Sequence, residues 1–188
     1  MNDTVHTSLL KVLWPDGSSP VGQQVYWLLD GARDPEIASL VRSSGLEFAC
    51  LFGEGLHPRL QAAAPYLVQL KCGAPASEQM LQRGWGKAWG ILAQARPELS
   101  LAQLRRHFKK FLRVKTADGK ELAFRFYDPR VLNVYLPTCT NDEFTTFLGP
   151  LAQFIAEACD GASVRLFSSE DDGYTVHEVA LTASKLDR

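Results

Sequence analysis

The chain contains no apolar run close to the roughly 18 uninterrupted residues that cross a bilayer, which argues against a spanning helix. Its N-terminus shows no basic region followed by an apolar stretch and a cleavage site, so the expected location is the cytoplasm. Disulfide chemistry is equally sparse. Cys50, Cys72, Cys139 and Cys159 stand far apart with no CxxC pair, and reduced thiols are expected. There is also little charge of either sign in excess: the formal net charge is −1, so any charged partner must be met by a local patch. Internal repeats and low-complexity segments are missing as well.

Chemical motifs are scarce too. His6, His57, His107 and His177 are scattered, none with a cysteine or second histidine at ligand spacing, and no metal site or cofactor is expected. No GxSxG nucleophile elbow is present, and Cys139 between Thr138 and Thr140 reads as a thiol flanking a helix. Catalytic residues are therefore expected to be none.

What is present is an ordinary globular composition, 46% hydrophobic and 22% charged over 188 residues, enough for a sizeable core. Three segments are expected: an N-terminal stretch over 1–24, a main domain over 25–150, and a short β-rich extension over 151–188 packed on it. Ser8 to Trp14 suits a short helix, and residues 15–20 form a Pro/Gly/Ser loop. Val25 to Leu29 reads as a buried strand. Asp34 as cap, Pro35 at the first turn and Gly45 at the end predict a helix over 35–44, followed by a strand from Glu47 to Phe52. Strand, helix, strand with short links suggests a parallel crossover.

Further strands are expected at Tyr66 to Leu70 and Trp89 to Ala95, with a short helix capped by Ser77 between them and ending at Gly84. Ser100 opens an amphipathic helix carried to Leu112, and Asp118-Gly119 signals a hairpin between 113–116 and 121–127. Asp128-Pro129 starts another helix, and Thr140 with Glu143 forms a capping box for one that Gly149-Pro150 closes. Strand-like runs near Phe154, at Val164 to Phe167 and at Tyr174 to Leu181 finish the chain, the last two separated by the acidic turn 170–173. The fold class is mixed α/β, a mostly parallel-to-mixed sheet covered by helices with an antiparallel C-terminal addition.

Three clusters invite a functional reading. Gly84-Trp85-Gly86-Lys87-Ala88-Trp89-Gly90 looks like a phosphate cradle but has neither GxGxxG nor GxxxxGK[ST] spacing, and it follows a helix instead of preceding one. A structural turn, with tryptophans packing or forming a contact surface, suits it better. Arg105, Arg106, His107, Lys109, Lys110, Arg113 and Lys115 form a basic cluster open to three readings: a solvated face, a phosphate or nucleic-acid site, or a dock for an acidic protein. Arg125, Asp128 and Arg130 flank a strand-to-helix corner. There Asp128 serves as cap and an arginine pairs with Asp30 or Asp128, or else the arginines form the rim of a protein-binding surface.

In order and spacing, the blocks Tyr26 to Arg33, Ala64 to Val68, Gly84 to Gly86 through Trp89 to Ile91, Leu104 to Phe108, Phe124 to Leu132 and Leu136 to Thr138 resemble domain-of-unknown-function family 4123 (DUF4123), the type VI secretion effector adaptors. The resemblance covers about Val25 to Pro150. It implies a non-catalytic chaperone that binds a cognate toxin effector and helps load it onto the valine-glycine repeat spike protein (VgrG), with neither nucleic acid nor membrane as partner. Asp30, Arg33, Trp85, Trp89, Arg125, Asp128 and Arg130 are the motif positions. With Arg105 and Arg106 they form the candidate protein-binding set. Many relatives carry a longer C-terminal lobe, whereas only residues 151–188 follow here. The main alternative is an enzyme acting on a nucleotide or another phosphate ligand, motivated by the run Gly84 to Gly90 and by the basic helix. A third is a nucleic-acid-binding module built on the helix over 101–112.

Overall fold

The computed structural model describes residues 1–15, 17, 23–116, 118–158, 161–170 and 173–181. Most of the expected loop over 15–20, Cys159 and the centre of the acidic turn lie outside them. Asn2 accepts the Val5 amide at 2.8 Å and opens α1 (Asp3–Leu13), which begins earlier than its apolar residues alone suggest. After β1 (Gln24–Asp30), Asp34 Oδ1 accepts the Glu36 amide at 2.9 Å and starts α2 (Glu36–Ser43), and Gly45 at φ +69° ends it as expected. Then come β2 (Phe48–Cys50), α3 (Pro58–Ala62), β3 (Pro65–Leu70), α4 (Pro75–Gly84) and β4 (Gly90–Ala95). Ser77 does not cap α4; it is buried inside the helix, where its hydroxyl accepts the Lys71 amide at 2.8 Å.

Ser100 and Gln103 form a capping box on α5 (Leu101–Lys109), three residues shorter than its apolar spacing implies. The hairpin is β5 (Arg113–Lys115) with β6 (Glu121–Ala123). Asp128 caps α6 (Pro129–Tyr135), a 3-10 turn follows at Leu136–Thr138, and the Thr140–Glu143 box opens α7 (Asn141–Leu148). The meander β7 (Leu151–Glu157), β8 (Ser163–Glu170) and β9 (Gly173–Ala180) completes the described chain. Among the described residues no helix is long and apolar enough to cross a membrane.

The main sheet has seven strands in the order β2-β3-β1-β4-β7-β8-β9. Every pairing in it is antiparallel, so the expected parallel crossover and mostly parallel sheet are not found. β1 and β2 do run in the same direction, as a short helical link requires, but β3 inserts between them and pairs antiparallel with both. Local pattern reports that β1 and β2 share a direction; it does not report that a later strand takes the place between them.

Both faces of the sheet are covered, which explains why β1 reads as a continuous apolar run rather than an alternation. Val25, Trp27 and Leu29 face one core with α1, α2 and α4. Tyr26 and Leu28 face the other, where Leu104, Phe108, Leu132, Phe144 and Phe147 arrive from α5, α6 and α7. β4 crosses β1 so closely that a side chain on Gly90 would lie 1.9 Å from the Leu28 carbonyl oxygen. Only glycine fits there.

Candidate functional site

Strict alternation of strand direction puts the end of β1, the start of β3, the start of β4 and the end of β7 at one end of the sheet. Asp30, the last residue of β1, pairs with Pro65, and its amide donates to the Trp89 carbonyl at 2.8 Å. The Arg125 guanidinium forms an ion pair with the buried Asp30 carboxylate, which also accepts the Ala32 amide at 3.0 Å. Arg125 itself is 45% exposed. Beside it, Asp128 accepts the Arg130 amide at 3.0 Å and is held by the Arg130 side chain at 2.9 and 2.5 Å. Burial alone would raise the Asp128 pKa, but the hydrogen bonds and charge of Arg130 outweigh it and leave the carboxyl below its ordinary value.

The glycine run forms the second wall. Gly86 at φ +80° and Ala88 at φ +54° turn their amides toward the interior, and both donate to the carboxylate of Glu157, Gly86 at 2.6 Å. Asn133 Nδ2 holds the Glu157 carbonyl at 2.9 Å, and Arg33 Nε donates to the Lys87 carbonyl at 3.1 Å. Burial raises the Glu157 pKa, and the two amides only partly reverse that. The loop does hold a carboxyl group, and that group belongs to its own chain. The Gly86 and Ala88 amides that a phosphate would need are engaged, which removes one of the two features behind the nucleotide-enzyme reading, the basic helix being the other. Glu157 was not singled out from the sequence; its one signal was a lone carboxylate ending the mostly apolar strand LAQFIAE.

Trp85 and Trp89 are 5% and 1% exposed, and Trp85 Nε1 donates to the Gly161 carbonyl at 2.8 Å. They belong to the core and offer no contact surface. Of the nine candidate residues, Asp30, Arg33, Trp85, Trp89, Arg125, Asp128 and Arg130 gather at this end of the sheet. The structure divides them: Asp30, Asp128 and both tryptophans are buried, while Arg33, Arg125 and Arg130 stand exposed with Lys87. The result is a rim of cationic heads over three buried carboxylates, suited to gripping carboxylates or backbone carbonyls of a partner.

Arg105 and Arg106 are elsewhere, on α5. Arg105 Nε donates to the Cys50 carbonyl at 2.8 Å and so covers the outer side of edge strand β2. His107 leaves the basic cluster altogether: it is buried, with Nε2 2.9 Å from the Phe147 carbonyl, and burial lowers its pKa. Among the described residues no three His, Cys, Asp or Glu side chains converge as a metal site would require.

Comparison with known proteins gives one match. The family model described as "Domain of unknown function (DUF4123)" matches residues 25–146. No curated protein and no solved structure matches the chain. The match runs from β1 into α7 and takes in both walls of the site, Asp30 to Arg33 and Gly84 to Gly90, together with the Arg125 to Arg130 corner. Covering more than half of the sequence, it shows that the chain belongs to the DUF4123 family.

Proposed function

We propose that this chain is a non-catalytic cytoplasmic adaptor that holds a type VI secretion toxin effector and helps load it onto the VgrG spike. Family membership supports the reading. The single structural observation that carries it is the rim of Arg33, Arg125 and Arg130, whose guanidinium groups are exposed while buried carboxylates fix two of them in place. Held arginines lose less freedom on binding than free ones, and arginine is enriched where partners meet. The same groups contain no nucleophile hydrogen-bonded to a base: Tyr127 lies among them with its pKa pushed up to about 12 by burial, and it stays protonated.

The test is purification of the tagged chain from its host through a salt wash, with mass spectrometry of what remains bound. The expected result is one toxin-like protein, with or without the spike, and its loss from a folded Arg125→Ala, Arg130→Ala double variant. Recovery of the bait alone would overturn the proposal.

A further inference from the structure

Eight large apolar side chains stand exposed among the described residues, and five of them, Phe48, Phe52, Leu60, Val114 and Leu122, cluster around α3, β2 and the β5–β6 hairpin. Exposed apolar residues scattered singly mean little, but a contiguous group marks a contact surface. Phe52, Leu60 and Leu122, with Leu56 and Leu112, line a groove of about 770 Å³ that Lys109 borders. Leu60 is 54% exposed and Leu122 50%. Val114 lies directly opposite Leu122 in the hairpin and so extends the same apolar face. All six strand residues of the hairpin are exposed. A lone two-stranded ribbon is marginal in water, and this one turns its apolar pair outward.

The charge around this groove is one-sided. Together with the adjoining depression beside Phe48, it is lined by Arg42, Arg105, Lys109 and Arg113, against Glu54 and Glu121; Glu121 pairs with Arg113 at 3.1 Å, so the surplus rests on Arg42, Arg105 and Lys109. Arg106 on α5, Lys110 just after it and Lys115 on β5 are exposed as well. On a chain of net charge −1 this is a local positive surplus, and its complement is acidic. Nucleotide phosphates would engage the bordering cations alone and leave the apolar floor uncovered, whereas an apolar stripe with acidic flanks matches both. An added β-strand is obstructed because Arg105 already takes the Cys50 carbonyl on the outer side of β2.

We infer that the groove between α3, α5 and the β5–β6 hairpin is a docking site for an amphipathic helix with acidic flanks, supplied by another protein. Its apolar stripe enters between Phe52, Leu60 and Leu122, and its carboxylates meet Lys109 and the cations of α5. None of the three rim arginines lines this groove. The inference rests on the adaptor reading only for the identification of that protein as cargo.

The test uses a fluorescent peptide of about 18 residues, five helical turns, with leucines at helical spacing and glutamates elsewhere, beside a version with lysine for glutamate. The full chain is expected to bind the acidic peptide and not the basic one. Leu60→Ser with Leu122→Ser, both at exposed positions and checked by an unchanged melting temperature, is expected to weaken binding about tenfold or more. Lys109→Glu is expected to weaken it and to reduce its salt dependence. Failure of the acidic peptide to bind, equal binding of both peptides, or indifference to the serine variant would overturn the inference. So would sedimentation showing a dimer that the serine variant dissolves, since a second copy would then be the occupant. If wild type and serine variant recover the same toxin from the host while no peptide binds, the groove is refuted and the adaptor stands. Peptide binding without any recovered toxin leaves the groove standing and refutes the adaptor.

Discussion

Replacing Glu157 by glutamine separates the two properties of the glycine loop, its geometry and its charge. The carboxylate accepts the amides of Gly86 and Ala88, one through each oxygen. Glutamine keeps one acceptor and points an NH2 group at the other amide, leaving a buried donor without a partner. An orphaned donor costs about 1–3 kcal/mol, and relief of the desolvated charge offsets part of that, so a net loss of about 1–2 kcal/mol is expected near neutral pH. For a chain of this length, with about 2–4 °C per kcal/mol, the melting temperature should fall by about 2–8 °C. The folded pKa of Glu157 is raised, so between the unfolded and folded values the native state binds more protons. Stability from this group is thus complete below the unfolded pKa, about 4.3, and fades as pH rises through the folded value. Glutamine does not titrate, and the gap between wild type and Glu157→Gln should be widest in mild acid and narrow toward neutrality. Melting curves across this range measure it directly. An unchanged or higher melting temperature for the variant would refute the account of the loop as a cradle for its own carboxylate, and a gap that widens with pH would refute burial as the dominant influence on that carboxylate.

Three further outcomes follow from the same geometry. Trp89→Ala should cost about 3–5 kcal/mol in urea unfolding, because the ring is fully buried in the core beneath the site; a variant as stable as wild type would return Trp89 to the surface. Arg125→Ala strands the buried Asp30 carboxylate, but Arg125 is nearly half exposed, so the expected loss is about 1 kcal/mol rather than the full cost of breaking a buried pair; a loss as large as that of Trp89→Ala would show a desolvated pair instead. His107 has a folded pKa below its unfolded value, so its contribution to stability is present above about pH 6.5 and lost as pH falls through the folded value; the urea midpoint of wild type should drop on acidification more than that of His107→Gln, and parallel profiles would exclude His107 as the cause.

The elements were legible where local chemistry decides them. Asp128 before Pro129, Ser100, and Thr140 with Glu143 all form the caps read from the sequence, since a cap needs only residues two or three apart. Ser77 was misread because a serine before an apolar run suits a cap equally well when its real partner, the Lys71 amide, lies upstream. Strand order was not legible at all, because insertion of β3 between β1 and β2 is decided by long-range pairing. The exposed or buried state of the tryptophans was equally hidden. A glycine-flanked tryptophan reads the same from sequence in both cases, and the depth of the Gly84 to Gly90 run is set by Glu157, about seventy residues downstream.

That depth bears on why the motif positions are spread so widely along the chain. Seven strands that alternate in direction bring the end of β1, the start of β4 and the end of β7 together, so Asp30, Trp89 and Glu157 become neighbours although long segments separate them. Each buried group then has a definite task. Asp30 and Asp128 orient Arg125 and Arg130, Glu157 shapes the loop whose Lys87 carbonyl receives Arg33, and Trp85 ties that loop to Gly161. A motif of this kind specifies a scaffold whose exposed product is three oriented guanidinium groups, and its members should divide under substitution. Changes at the buried carboxylates and tryptophans should act through stability, whereas changes at the arginines should act through binding, with salt dependence as the distinguishing signature. Uniform loss of stability across both groups would mean that the arginines serve the fold alone and that the partner is met at the basic groove instead.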